Sequence, residues 1–243
     1  MNEDMIFNLV PKKASGGLPE KAALSTMSWA EIAAVSQAGL AVEYWSVGDE
    51  ISVSIDGTAY SAVIIGFAHD DLADNSGKAG ITFGLKQCLS SSEKMNGAMS
   101  NAGGWSSCAL RATLNGTILG RLPAALRSVI RPVRKKAAAD GEDETRIDIV
   151  TDSLFLFSEI EVLGDSDVGD GYVENSWEGE GSQYPYYTTA ANRKKTQNGA
   201  AIGWWTRSLA AYTAEFFCTF NKAGAASTGV ANGNAGVSFG FCV

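Results

Sequence analysis

A single histidine, His69, sits in Phe67-Ala68-His69-Asp70-Asp71. A histidine beside carboxylates can orient a general base or hold a metal. The nearest further ligand is Asp74 and there is no second histidine, so His69 reads first as a structural hydrogen-bonding group. Four cysteines, Cys88, Cys108, Cys218 and Cys242, form no C-x-x-C pair. That argues against a zinc or redox motif and for buried thiols. Cys218 and Cys242 both lie in apolar, strand-like runs, and whether they bond stays open. Asp165, Asp167 and Asp170 resemble a calcium loop only loosely, lack the terminal glutamate of an EF-hand, and read as a solvated turn. Glu159 and Glu161 alternate as on one face of a strand and read as solvent-facing. Neither a G-x-S-x-G elbow nor a G-x-x-x-x-G-K-[ST] phosphate loop occurs. Catalysis has little support, so no catalytic residue, metal or cofactor is expected.

The C-terminal stretch offers a different chemistry. It opens with Gly203-Trp204-Trp205-Thr206-Arg207-Ser208 and closes with Gly236-Val237-Ser238-Phe239-Gly240-Phe241-Cys242-Val243. Residues 208–243 carry only two charges, Glu215 and Lys222, among many small and polar residues. A rigid frame holding a tolerant surface suits binding better than chemistry. Paired tryptophans can form a stacking platform, but core placement is the preferred reading. Arg207 should then pair with a carboxylate or a backbone carbonyl and lock the frame.

The elements that position these residues belong to a globular chain. It has 243 residues, 45% of them hydrophobic, and a net charge of −8. An acidic balance excludes a nucleic-acid partner, because phosphate neutralisation needs a basic stripe. The one basic cluster, within 127–136, is followed by an acidic stretch and reads as a solvated helix end and loop. The first ten residues lack a basic start followed by an apolar run, and no window reaches the roughly 18 apolar residues of a membrane span. No membrane insertion is expected, and the expected setting is a virion or the cytoplasm.

Residues 1–24, with Pro11, Gly16, Gly17 and Pro19, read as an arm. Ser28-Trp29-Ala30-Glu31 is a capping box opening a helix to about Ala38, with Gly39 as its stop. Glu50–Ile55 and 59–67 are strands joined at Asp56-Gly57, and 80–85 is a third. Ser106 or Ser107 should cap a helix ended by Asn115-Gly116, and Pro123 should start another. Segments 146–150 and 154–157 are buried, 164–183 is a long surface loop, and a hairpin around 221–224 precedes a final strand from Gly236. Helices mixed with hairpins, without βαβ alternation, give an α+β fold.

Several separated stretches also share one pattern. They are Ser28-Trp29-Ala30-Glu31-Ile32, Tyr44-Trp45-x-Val47-Gly48-Asp49, Ile65-Gly66-Phe67-Ala68-His69-Asp70, Ala79-Gly80-Ile81-Thr82-Phe83-Gly84 and Asn101-Ala102-Gly103-Gly104-Trp105. Further along come Leu154-Phe155-Leu156-Phe157-Ser158-Glu159-Ile160-Glu161, Gly181-Ser182-Gln183-Tyr184, Trp204-Trp205-x-Arg207-Ser208 and Gly236-Val237-x-Phe239-Gly240-Phe241-Cys242. Together they resemble a domain of unknown function from gut bacteria and their phages. That domain is similar to C-type lectin folds and to the variable proteins of diversity-generating retroelements, whose C-terminal codons are rewritten through adenine miscopying.

The resemblance implies an α+β, C-type lectin-like fold with short hairpins, two to three helices and a loop-rich C-terminal half. It implies an arm over 1–24, one domain over 25–243, and a variable binding region over about 205–240. The implied frame is Trp204, Trp205, Arg207, Ser208, Cys218, Gly224, Gly236, Val237 and residues 239–243. The implied binding residues are Ala210, Tyr212, Ala214, Phe216, Thr219, Asn221, Ala223, Ala225, Ser227, Thr228, Asn232 and Asn234. These should be exposed on one face, with Tyr212, Phe216 and Phe220 as aromatic anchors and Phe217 turned inward. The implied ligand is a protein or glycan on a cell surface, with residues 1–24 free to dock an oligomer or virion partner. Two alternatives remain: an enzyme resembling formylglycine-generating enzymes on the same fold, and a structural module of a virion or surface assembly.

Overall fold

The computed structural model describes residues 17–143, 146–164, 179–211 and 213–243. Helix α1 (Trp29–Gln37) and the single turn α2 (Ala41–Tyr44) lead into β1 (Glu50–Ile55), β2 (Thr58–Phe67) and β3 (Ile81–Leu85). A helical stretch follows: α3 (Gly104–Ser107), α4 (Ala109–Thr113), a π-helical segment at Leu114–Ile118, α5 (Leu119–Arg121) and α6 (Ala124–Arg127). Then come β4 (Val133–Ala138), β5 (Ile147–Asp152), α7 (Glu159–Leu163), β6 (Lys195–Gln197), β7 (Ala200–Ile202), β8 (Trp204–Leu209), β9 (Phe216–Phe220), β10 (Ala226–Val230) and β11 (Gly240–Cys242). The result is a mixed helix-and-sheet, α+β protein.

Among the described residues the strands form a sheet ordered β1-β2-β3-β11, a sheet ordered β10-β9-β8, and the hairpins β4-β5 and β6-β7. The pairings among these named strands are antiparallel, and one parallel bridge joins Trp204 to Gly236. The last strand, β11, therefore closes the sheet begun by the first hairpin. That closure is tightened by Ser36, whose hydroxyl donates to the Val243 carbonyl, and by Phe83 stacked on Phe241 at 5.3 Å. One large cluster spans Trp29, Ile64, Phe83, Trp205, Phe217 and Phe241. A second holds Phe155, Phe157, Tyr184, Tyr187, Trp204 and Phe220.

Local chemistry explains the early elements. Ser28 and Glu31 form the reciprocal capping box of α1. Gly39 follows the helix at φ +73°, a conformation glycine adopts without a Cβ penalty. Asp56 and Gly57 both have positive φ, as a two-residue type I′ turn between β1 and β2 requires.

Three local expectations need correcting, and part of a fourth element can be placed. Asn115-Gly116 does not end a helix, because the chain stays helical through Arg121. The Asn115 side chain instead pins residues 153–154, accepting from both backbone amides and donating to the Leu154 carbonyl. Within the basic cluster, residues 133–136 are not a solvated loop but part of strand β4, with Lys135 buried. Glu159 and Glu161 do not sit on a strand at the surface. They lie in α7, capped by a second reciprocal box with Ser158, and both are buried. The proposed arm is docked where described: Leu24 is buried, Tyr44 donates to the Pro19 carbonyl and Trp45 to that of Ala22. Residues 1–16 and the Asp165, Asp167 and Asp170 loop lie outside the described residues.

Candidate functional site

Strand β8 is buried at every residue, which fixes the C-terminal region from beneath. Alternate side chains point to opposite faces. Trp204 stacks on Phe220 at 5.0 Å and donates its Nε1 proton to the Arg193 carbonyl. Trp205 packs edgewise on Phe217 and donates to the Glu93 carbonyl at 2.8 Å. Both indoles are thus core residues with satisfied N–H groups, not an exposed platform.

Arg207 has no exposed surface and spends its donors inside. It bonds both Glu161 oxygens, at 2.5 and 2.9 Å, and the carbonyls of Lys136, Leu156 and Glu180. Burial pushes the Glu161 carboxyl up, but the charges of Arg207 and Lys135 outweigh it and hold it below its usual range. Lys135 also reaches Asp70 at 2.6 Å. Burial acts against ionised Asp70 too, yet the Lys135 charge and surrounding hydrogen bonds leave it well below the usual carboxylate range. Glu180, which accepts from Ala138 N and Ser208 Oγ, is raised because burial outweighs Arg207. Such a network fixes geometry because breaking one buried partner strands another.

The frame residues expected from sequence are all buried: Trp204, Trp205, Arg207, Ser208, Cys218, Gly224, Gly236, Val237 and residues 239–243. Above them, strands β8–β10 carry a groove of about 590 Å³ lined by Trp205, Thr219, Asn221, Ser227, Thr228 and Asn234, with neighbours. Trp205, Thr219 and Ser227 are in cross-strand register. A Cβ on Gly229 would lie 2.8 Å from the Trp205 ring, so only glycine lets β10 lie this close over the indole. Among the described residues lining the groove, Lys222 is the one that carries a charge. The lining supplies hydroxyls, amides and an apolar floor, which suits hydrogen-bonded recognition rather than acid–base chemistry.

The predicted binding residues fall into four groups. Thr219, Asn221, Ser227, Thr228 and Asn234 line the groove. Ala223 and Ala225 are exposed at the β9–β10 turn, and Asn232 is half-buried just beyond β10. Ala214 is exposed and Phe216 half-buried at the other end of the hairpin, beside Asn101, which bonds the carbonyls of Thr213 and Phe216. Ala210 is buried, because its amide continues the sheet to the Phe216 carbonyl at 3.1 Å. Thr219 is nearly buried as well, since it occupies the central strand and only floors the groove. Asn221 is half-committed, because its Oδ1 accepts from Ala223 N and Ala225 N and shapes the turn. Of the aromatic anchors, Phe220 is buried against Trp204, while Phe217 is inward and Phe216 half-buried. Tyr212 lies outside the described residues.

His69 stacks on Tyr184 at 4.0 Å and bonds the Ser182 carbonyl through Nε2. Among the described residues no cluster of His, Cys, Asp and Glu could hold a metal, and no helix is long and apolar enough to cross a membrane. All four cysteines are buried and none is in a disulfide. Burial pushes the thiols of Cys88 and Cys108 up to about 11. Sequence reasoning missed Lys135 and Glu180, and read Asp70 only as a neighbour of His69 and not as the partner of Lys135. Lys135 sits at an inward position of the alternation Val133-x-Lys135-x-Ala137, and Glu161 completes the S-x-x-E signature of Ser158; those were the available signals.

Fold and site define an α+β protein with a polar-locked core and a surface groove over its C-terminal hairpin. The chain belongs to the family described as Domain of unknown function (DUF6273), which matches residues 79–243. No curated protein matches the chain, and no solved structure does.

Proposed function

We propose that this protein is a non-enzymatic ligand-binding protein with a C-type lectin-like fold that recognises a protein or glycan on a cell surface. The groove over β8–β10 is its binding site. The single observation that carries this reading is the separation of frame from rim. Every expected frame residue from Trp204 to Val243 is buried, whereas Ser227, Thr228 and Asn234 ring the groove with open surface. A surface of that kind accepts new side chains at small cost. It therefore fits a diversified binding face of the retroelement type, in a phage or prophage. Ala210 is dropped from the display set, Thr219 serves as floor, and Asn221 serves chiefly as a turn former. Cys218 is buried with its thiol pushed up by burial, so an enzyme built on that thiol gains no support.

The experiment is binding of the full chain to arrayed bacterial surface glycans and surface proteins, beside Ser227→Trp, which fills the groove from the edge strand. Binding by wild type that Ser227→Trp abolishes, at unchanged melting temperature, is expected. Binding that survives the filled groove would place recognition elsewhere.

A further inference from the structure

The buried ion cluster around Lys135 contains an arrangement that the binding role does not use. Lys135 Nζ lies 2.6 Å from Asp70 Oδ1 and 2.5 Å from Glu161 Oε1. All three side chains are no more than 3% exposed. The Phe155 ring covers the ammonium at 4.3 Å, and the Tyr184 ring lies at 5.5 Å. An amine is thus held against a carboxyl in a dry, aromatic-walled site, with a second carboxylate on the same nitrogen. Removing charges from water is costly, and an enforced contact converts an encounter into an intramolecular reaction with a large effective concentration.

We propose that Lys135 and Asp70 condense within the folded chain into an amide crosslink, with Glu161 relaying protons. Glu161 takes one proton from the ammonium and passes it to Asp70 Oδ1, leaving a neutral amine facing a neutral carboxyl. The Nζ lone pair then adds to Cγ. A second nitrogen proton moves through Glu161 to Oδ1, the Cγ–Oδ1 bond breaks, and Oδ1 leaves as water. Of the three ammonium protons, one stays on the amide nitrogen and two leave in that water, so no oxidant, reductant or co-reactant is needed.

The surroundings suit each stage. Oδ2, the oxygen that remains, accepts from Thr82 Oγ1 at 2.6 Å, and the Tyr184 hydroxyl lies 2.9 Å from both Oδ1 and Oδ2 and is free to turn to the oxygen that carries the charge. Those two donors would stabilise the negative charge that forms on it during addition. Arg207 keeps Glu161 ionised and therefore able to accept the first proton. One positive and one negative charge disappear together, and the Arg207–Glu161 pair remains balanced. The product would tie β4 to the segment just after β2, restricting the unfolded chain as a disulfide does.

The test is mass spectrometry of the purified full chain after denaturation, with the peptides around residues 70 and 135 identified after proteolysis. The wild-type chain is expected to lack the mass of one water, and the two peptides are expected to emerge as one branched species. Lys135→Met should restore the full sequence mass. Glu161→Gln, which also weakens the Arg207 pair, should crosslink slowly or not at all wherever it still folds. Separate wild-type peptides of unmodified mass would overturn the proposal, and so would water loss that persists in Lys135→Met. The wild-type measurement decides even if a variant fails to fold.

Discussion

Replacing Arg207 by alanine attacks the frame at its most connected point. The side chain is wholly buried and makes two bonds to Glu161 and three to backbone carbonyls. Truncation leaves the Glu161 carboxylate with Lys135 as its remaining cation and deprives the Lys136, Leu156 and Glu180 carbonyls of that donor. Breaking a buried ion pair from one side costs about 3–5 kcal/mol. For a chain of this size that lowers the melting temperature by roughly 6–20 °C, at about 2–4 °C per kcal/mol. Circular dichroism melts and urea titrations at neutral pH would measure it. A second signature is pH dependence. In the wild type Glu161 is held below its usual value, so it contributes stability at neutral pH that is lost as pH falls through the folded-state value. Without Arg207 the same carboxyl moves up, so the variant's deficit is full at neutral pH and narrows on acidification. A loss below about 1 kcal/mol, or a deficit independent of pH, would refute the view that this pair locks the frame.

Other consequences are open to the same assays. Lys195 is fully buried over the rings of Tyr187 and Trp204, and burial lowers it from its usual 10.5 to about 8. Between those values the unfolded chain holds a proton that the folded chain releases, so this lysine costs stability below about pH 8 and the cost disappears as pH rises towards 10.5. Lys195→Met should therefore be the more stable form at pH 7, by up to about 3 kcal/mol at about 1.4 kcal/mol per pKa unit, and the gap should narrow above pH 8 and close only above 10.5. Its carbonyl partner, Leu85, keeps a bond from Ser238, so a variant that is less stable at pH 7 would contradict this account. Gly240→Ala would push a methyl to 2.7 Å from both Phe155 and Phe157. Overpacking of that kind costs about 1–3 kcal/mol, and an unchanged urea midpoint would show that the rings can move aside.

How much of this was legible in the sequence depends on how local the signal was. The α1 capping box, the Asp56-Gly57 turn and the 221–224 hairpin were readable because each is fixed by residues a few positions apart. Tryptophan burial and the inward turn of Phe217 followed from size and strand alternation. The buried ions were not legible. A lysine among Arg134 and Lys136 looks like surface, and only pairing of β4 with β5 and the distant Asp70 and Glu161 make its burial tolerable. Helix α7 was misread because Glu159-x-Glu161 also fits strand alternation, although the serine before it carried the capping signal. Burial of Ala210, Thr219 and Phe220 was missed because it depends on which strand lies at the centre of a sheet, a tertiary fact.

The central claim is that a rigid frame carries a groove rim whose side chains can change and thereby set what is bound. The most direct measurement is a library of the full chain randomised at Ser227, Thr228, Asn232 and Asn234, read for both folding and binding. Most members are expected to stay folded, with each exposed substitution within about 0.5 kcal/mol, while different members select different surface ligands. A library that mostly unfolds, or one whose folded members all bind alike, would contradict the claim.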